Sequence, residues 1–230
     1  MTIYDRVAEI RERIALACAR CGRRESEVTL IAVAKYVAQE QIAEAILSGI
    51  CHFGENHAQE VVKKLNFYKH HACDLHFIGH LQTNKIKYVC GNADLIQSVD
   101  RLSLARGLAA QADLLGIDQS VLVQVNVGAE PQKGGVLPND LPALLEQLAG
   151  LPRLKVCGLM SIPPVGTAEE TRKYFISTRA LLEENRQRFP ELPLAECSMG
   201  MSADYEVAIE EGATMVRVGT SLFGARQITL

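Results

Sequence analysis

Several things this sequence lacks narrow the possibilities before any motif is read. No apolar run among the 230 residues is long enough to cross a bilayer, and the charged segment Met1 to Glu12 has no signal-peptide core. A membrane partner is not expected, and a cytoplasmic location is. Positive charge is not in excess, since 24 bases face 27 acids for a net charge of −3, so a nucleic-acid footprint is not expected either. The seven cysteines form no even-numbered disulfide framework and are read as reduced thiols. Cys18 and Cys21 form a lone Cys-x-x-Cys on a helix, with no second pair. His70, His71, Cys73, His76 and His80 are dense but match no structural zinc spacing, so no metal is expected. Gly-x-Ser-x-Gly, Walker A and dinucleotide fingerprints are all missing, which removes support from hydrolase, NTPase and Rossmann readings. Without repeats, low-complexity tracts or linkers, residues 1–230 are expected to form a single domain.

What is present alternates. An amphipathic helix over Ile3 to Cys21 precedes eight short apolar runs: Leu30–Ala34, Cys51–Phe53, Leu75–Ile78, Leu95–Val99, Val121–Val127, Val156–Met160, Leu194–Cys197 and Met215–Val218. Helical stretches separate them, at Gln39–Ser48, His57–Leu65, Thr83–Val89, Arg101–Leu115, Leu141–Leu148, Ala168–Arg188 and Ala203–Glu211. Strict strand–helix alternation at this length predicts an α/β fold, a (β/α)8 TIM barrel with an extra N-terminal helix. A doubly wound open sheet is the alternative.

A barrel collects its chemistry at the carboxyl ends of its strands. Those ends carry Lys35, Glu55 and Asn56, His80, Ser98 and Asp100, Asn126, Met160 and Ser161, Ser198, and finally Arg217, Gly219 and Thr220. The opposite ends offer no comparable set. Lys35 closes a strand buried on both faces, where desolvation favours the neutral amine that attacks carbonyls. A lysine snorkelling from a strand end fits the same segment. Cys197 to Asp204 and Gly219 to Ser221 are strand-to-helix turns with small residues and hydroxyls, and Ser202 is a good N-cap. Together they make a cup of N–H groups for an anion, or else two ordinary tight turns. Period two directs Arg217 into the barrel, toward a ligand or toward an acid such as Asp100 or Glu55. The loop from Gly128 to Pro138, with Lys133, Gly134 and Gly135, is expected to be mobile.

Five segments resemble one family in order along nearly the whole chain. They are Ala32-Val33-Ala34-Lys35, Phe53-Gly54-Glu55-Asn56, His76-Phe77-Ile78-Gly79-His80-Leu81-Gln82-Thr83-Asn84-Lys85, Ser198-Met199-Gly200-Met201-Ser202-Ala203-Asp204, and Met215-Val216-Arg217-Val218-Gly219-Thr220. The family is the YggS/PROSC family of pyridoxal-phosphate homeostasis proteins, similar to the N-terminal barrel of alanine racemase. The resemblance implies that pyridoxal 5′-phosphate (PLP) is held as an internal aldimine on Lys35, with Asn56 near the ring's 3′ oxygen. Ser198, Gly219 and Thr220 would hold the phosphate, and Arg217 would face the pyridine nitrogen. His80, Met160, Met199 and Gly200 are candidates for the surrounding rim. Departures occur at Tyr36-Val37, at Thr83 and at Lys133-Gly134-Gly135, which leaves the role of that last loop open.

The same resemblance implies a carrier acting in vitamin B6 homeostasis and amino-acid/keto-acid balance, with little or no turnover. Its partners would be PLP and PLP-accepting apo-enzymes, and a monomer is expected. An arginine facing the pyridine nitrogen only donates, which leaves the ring a poorer electron sink. The further domain from which alanine racemase draws its second base is not expected in a sequence ending at Leu230. A small PLP-dependent racemase-like enzyme is the alternative.

Overall fold

A computed structural model describes residues 1–224. Eight strands, β1 (Thr29–Val33), β2 (His52–Glu55), β3 (Asp74–Phe77), β4 (Leu95–Val99), β5 (Gln119–Val125), β6 (Leu154–Ser161), β7 (Glu196–Met201) and β8 (Met215–Val218), pair in sequence order. All the pairings are parallel, and β8 returns to β1 to close a barrel. This is the (β/α)8 barrel expected from the alternation. The open-sheet alternative falls because Thr29 to Ala32 pair with Met215 to Val218.

Nine α-helices lie among the described residues. The first, α1 (Ile3–Arg20), starts at a reciprocal Thr2–Asp5 capping box and buries Ile3, Val7, Ile10, Ile14, Ala17 and Cys18. The others are α2 (Gln39–Leu47), α3 (Ala58–His70), α4 (Ile86–Val89), α5 (Leu102–Leu115), α6 (Leu141–Ala149), α7 (Ala168–Arg188), α8 (Tyr205–Glu210) and α9 (Thr220–Phe223). Their apolar faces cover the outside of the barrel, so each strand lies between helices and a narrow interior. Ile31, Leu95, Leu122, Met160 and Met215 form a separate apolar cluster within that interior. No helix among the described residues is long and apolar enough to cross a membrane.

Two boundaries differ from the sequence reading in a way that matters below. β2 runs on to Glu55, and β7 runs from Glu196 to Met201, past the expected end at Cys197. Ser198 therefore lies inside a strand. The Gly128–Pro138 loop, expected to be mobile, is bonded to neighbouring segments. Asn126 Nδ2 donates to the Glu130 carbonyl at 2.8 Å, and Lys133 Nζ donates to the Pro163 carbonyl at 2.9 Å.

Candidate functional site

Lys35 stands on a tight turn just beyond β1. Ala34 N–H donates to Gly54 O, and Val37 N–H reaches back to Ala34 O at 3.0 Å. The turn puts Tyr36 at φ 60°, a conformation that L side chains adopt only under constraint. Lys35 is half-buried, with its ammonium 5.4 Å from the centre of the Tyr36 ring. The Tyr36 hydroxyl lies 3.0 Å from His57 Nε2.

The turn rests on a buried ionic group. Lys64, from α3, donates to the Ala34 carbonyl at 2.9 Å and to Glu55 Oε1 at 2.8 Å, and it pairs with Glu60 at 3.0 Å. Tyr68 Oη donates to the same Glu55 oxygen at 2.9 Å. Burial raises the Glu55 pKa despite the opposing pull of Lys64. Glu55 was expected on the rim, but as the last residue of β2 it turns outward to α3. Asn56, one residue on, has the opposite parity. Its side-chain oxygen is buried and has no hydrogen-bond partner. Gly79 lies against it so closely that a Cβ would sit 2.0 Å from the Asn56 carbonyl oxygen, so only glycine lets the chain pass.

On β1's other side lies β8, with Ile31 in register with Arg217 and Ala32 with Val218. The Lys35 turn and the Gly219 turn are therefore neighbours on one rim. Ser202 Oγ accepts from Gly219 N–H at 3.2 Å and from Ser221 N–H at 3.4 Å. Ser202 is not the N-cap it was expected to be, since Asp204 holds that position for α8. Two backbone donors from the β8 turn converge on one oxygen, and an anion's oxygen would satisfy them in the same way. Thr220 is the first residue of α9 in this turn.

Arg217 points inward and is only 3% exposed. Its Nη1 donates to Ser198 Oγ at 2.6 Å and its Nη2 to the Ser161 carbonyl at 2.8 Å. Burial lowers its pKa to about 10, with Asp204 opposing from a distance. The acids offered as alternative partners are engaged elsewhere: Glu55 with Lys64, and Asp100 with Arg101 at 2.6 Å. A desolvated guanidinium with only neutral acceptors is a strong donor awaiting a partner.

The other expected residues lie apart from this group. His80 is exposed, with Nδ1 4.0 Å from Asp100. Met160 belongs to the interior cluster below the mouth. The Met199 side chain was expected at the rim but packs in the outer core, 3.6 Å from Cys197 Sγ. Gly200, at φ 87°, lies against Tyr205 and Ala208, and a Cβ there would come within 2.5 Å of Ala208. Among the described residues no group of three or more His, Cys, Asp or Glu is arranged to hold a metal.

A family model, that of the alanine racemase N-terminal domain, matches residues 6–227. A pyridoxal phosphate homeostasis protein of Aquifex aeolicus is 46% identical over 228 residues, covering 99% of this chain and 100% of its own. The chain belongs to this family, among its pyridoxal phosphate homeostasis proteins. The homeostasis protein of Escherichia coli is 38% identical over 229 residues, with 97% of each chain covered. The solved structure of PipY from Synechococcus elongatus with PLP bound is 41% identical, with a TM-score of 0.82, and covers 94% of this chain and 100% of that one. An alanine racemase of Corynebacterium glutamicum shares the fold at 15% identity and a TM-score of 0.70, covering 98% of this chain and 63% of its own. For this family member the sequence reading missed Lys64, which braces the lysine turn, and Gln97, a fully buried amide at the centre of the barrel. A polar residue in the middle of Leu95-Ile96-Gln97-Ser98-Val99, a strand buried on both faces, was the available signal for Gln97.

Proposed function

We propose that this barrel binds PLP covalently on Lys35 and works as a carrier that buffers or delivers the cofactor. One observation carries this reading above the others: an amine and a convergent pair of backbone N–H donors occupy neighbouring turns of one barrel mouth, with a guanidinium that has no counter-charge on β8 below them. Asn56 supports the fit, because its amide oxygen has no partner in the protein and the amide is left to turn its N–H donor toward a ligand oxygen. Bound PLP supplies an aldehyde that condenses with amines and a ring that withdraws electrons from carbon attached to it.

In this reading Lys35 Nζ would hold the aldehyde, and the Lys64-braced turn keeps that amine at the mouth. The N–H groups of Gly219 and Ser221 would hold the phosphate with Thr220, in the place that the Ser202 hydroxyl fills here. Asn56 stands by the ring's 3′ oxygen. Ser198, which the resemblance implied at the phosphate, is instead buried within β7 and supports Arg217 from below. Arg217 has only protons to offer, so facing the pyridine nitrogen it would leave that atom unprotonated and the ring a weak electron sink. Low turnover follows, which suits a cytoplasmic, monomeric single-domain protein that passes PLP to apo-enzymes and so influences vitamin B6 and amino-acid/keto-acid balance.

Purified protein incubated with PLP should turn yellow. Borohydride should then fix a pyridoxyl group on the peptide containing Lys35, and Lys35→Ala should lose it. A colourless protein that stays unmodified would end the reading. One observation favours the racemase-like alternative: the Tyr36 hydroxyl, in contact with His57, is a second proton-exchanging group beside Lys35. Steady amino-acid racemisation followed by chiral chromatography, lost in both Lys35→Ala and Tyr36→Phe, would establish that alternative.

A further inference from the structure

The interior of the barrel holds a row of polar groups that cofactor binding does not require directly. Ser198 Oγ donates to Gln97 Oε1 at 2.6 Å, and Gln97 Nε2 lies 3.1 Å from His76 Nδ1. His76 Nε2 lies 3.3 Å from His52 Nδ1. Ser198, Gln97 and His76 are all buried, among the apolar side chains of the inner cluster.

The bonds of this row form one consistent series of donors and acceptors that starts at Arg217. Arg217 has no acceptor, so it donates to Ser198, and Ser198 in turn donates to Gln97 Oε1 at 2.6 Å. That orients the amide, so Gln97 Nε2–H donates to His76 Nδ1. His76 then carries its proton on Nε2, directed at His52. Burial keeps His76 neutral, with a pKa lowered to about 3, as the row requires. Asp74 Oδ2 also lies 3.3 Å from His52 Nδ1, but its side chain is 56% exposed and water can serve it.

We propose that Gln97 is the positioning residue for Arg217: through Ser198 it fixes the guanidinium, and the His76 tautomer fixes Gln97 in turn. A glutamine suits this place because the neighbours need an acceptor on one side and a donor on the other. A glutamate accepts from Ser198 but has no proton for His76. A methionine of similar length does neither. The consequence for binding rests on the PLP reading above, with Arg217 facing the ring nitrogen. The consequence for the ligand-free protein does not.

Nitrogen-15 NMR of the ligand-free protein should show His76 as the Nε2-protonated tautomer and the Arg217 side-chain N–H groups as slowly exchanging. In Gln97→Met the Arg217 signals should broaden into exchange, and in Gln97→Glu the His76 proton should move to Nδ1. An Nδ1-protonated His76 in the wild type, or Arg217 signals unchanged in Gln97→Met, would overturn the proposal whether or not PLP binds. With PLP, Gln97→Met should weaken binding about tenfold, the scale of one hydrogen bond to a charged group. An analogue with carbon in place of the ring nitrogen should bind wild type and variant alike. Equal weakening for both compounds would mean that Gln97 only fills space, and the proposal would fail.

Discussion

Two buried cations sit within a few strands of each other and have opposite surroundings. Lys64 is 2% exposed and packs between the barrel wall and α3, with Glu55, Glu60 and the Ala34 carbonyl around its ammonium. Arg217 is 3% exposed, lies inside the wall, and has a hydroxyl and a carbonyl as its partners. Burial is nearly equal, so burial alone does not mark function. What distinguishes them is whether the protein itself supplies a counter-charge. Lys64 is closed off as part of the scaffold, whereas Arg217 is left with donor capacity that a ligand can take up.

The largest test of this contrast removes the scaffold cation. Lys64→Met strands the Glu55 carboxylate in the core, and breaking a buried pair in this way costs about 3–5 kcal/mol. Chemical denaturation at neutral pH should show a loss of that size, and Lys64→Met/Glu55→Leu should recover most of it. The pH dependence has a definite sign. The folded-state pKa of Glu55 is already raised by burial and rises further without Lys64. The loss should therefore be small below the unfolded carboxyl value, about 4.3, and grow as pH rises from there through the folded value. A loss independent of pH would mean that Glu55 is not the stranded group.

These features were unequally legible in the sequence. β8 was read with its correct ends because Met215-Val216-Arg217-Val218 is a short apolar run broken by one inward charge. β7 was cut short at Cys197 because Ser198, which faces the narrow interior, and Gly200, which lies close against α8, resemble turn residues when no neighbour is known. Lys64 follows Lys63 on an amphipathic helix and reads as a solvated face. Glu60, four residues earlier, is a legible partner, but the outward turn of Glu55 at the end of β2, which buries the pair, is not. Local pattern reveals which strands exist and which way most side chains point. It does not reveal that two polar residues far apart in sequence, such as Gln97 and Ser198, complete each other inside a closed barrel.

A second, smaller test probes the interior row that supports Arg217. His76 is neutral in the folded protein, with a pKa lowered from 6.5 to about 3 by burial. A base whose folded pKa is depressed gives stability that is present above its unfolded value and lost as pH falls below it. Between pH 6.5 and pH 5 the loss from this group should approach about 2 kcal/mol, at about 1.4 kcal/mol per pH unit. His76→Gln should flatten the stability–pH curve over that window. An unchanged curve would mean that His76 is hydrated and that the interior is not the dry channel its burial indicates.

The smallest effect on stability is expected at Arg217 itself, and it bears most directly on the contrast. Arg217→Met removes a charge that the protein never paired and replaces it with an apolar chain suited to Met160 and Met215 nearby. Relief of desolvation and loss of the bonds to Ser198 and Ser161 oppose each other, so folding stability should change by no more than about 1 kcal/mol. PLP affinity should nevertheless fall, while borohydride still fixes whatever PLP remains bound on Lys35. Arg217→Glu goes further, since an acid facing the ring favours a protonated pyridine nitrogen and should alter the cofactor's absorption spectrum. If Arg217→Met instead destabilised the fold as strongly as Lys64→Met, both cations would be structural. The guanidinium could then no longer be read as a group held ready for a ligand.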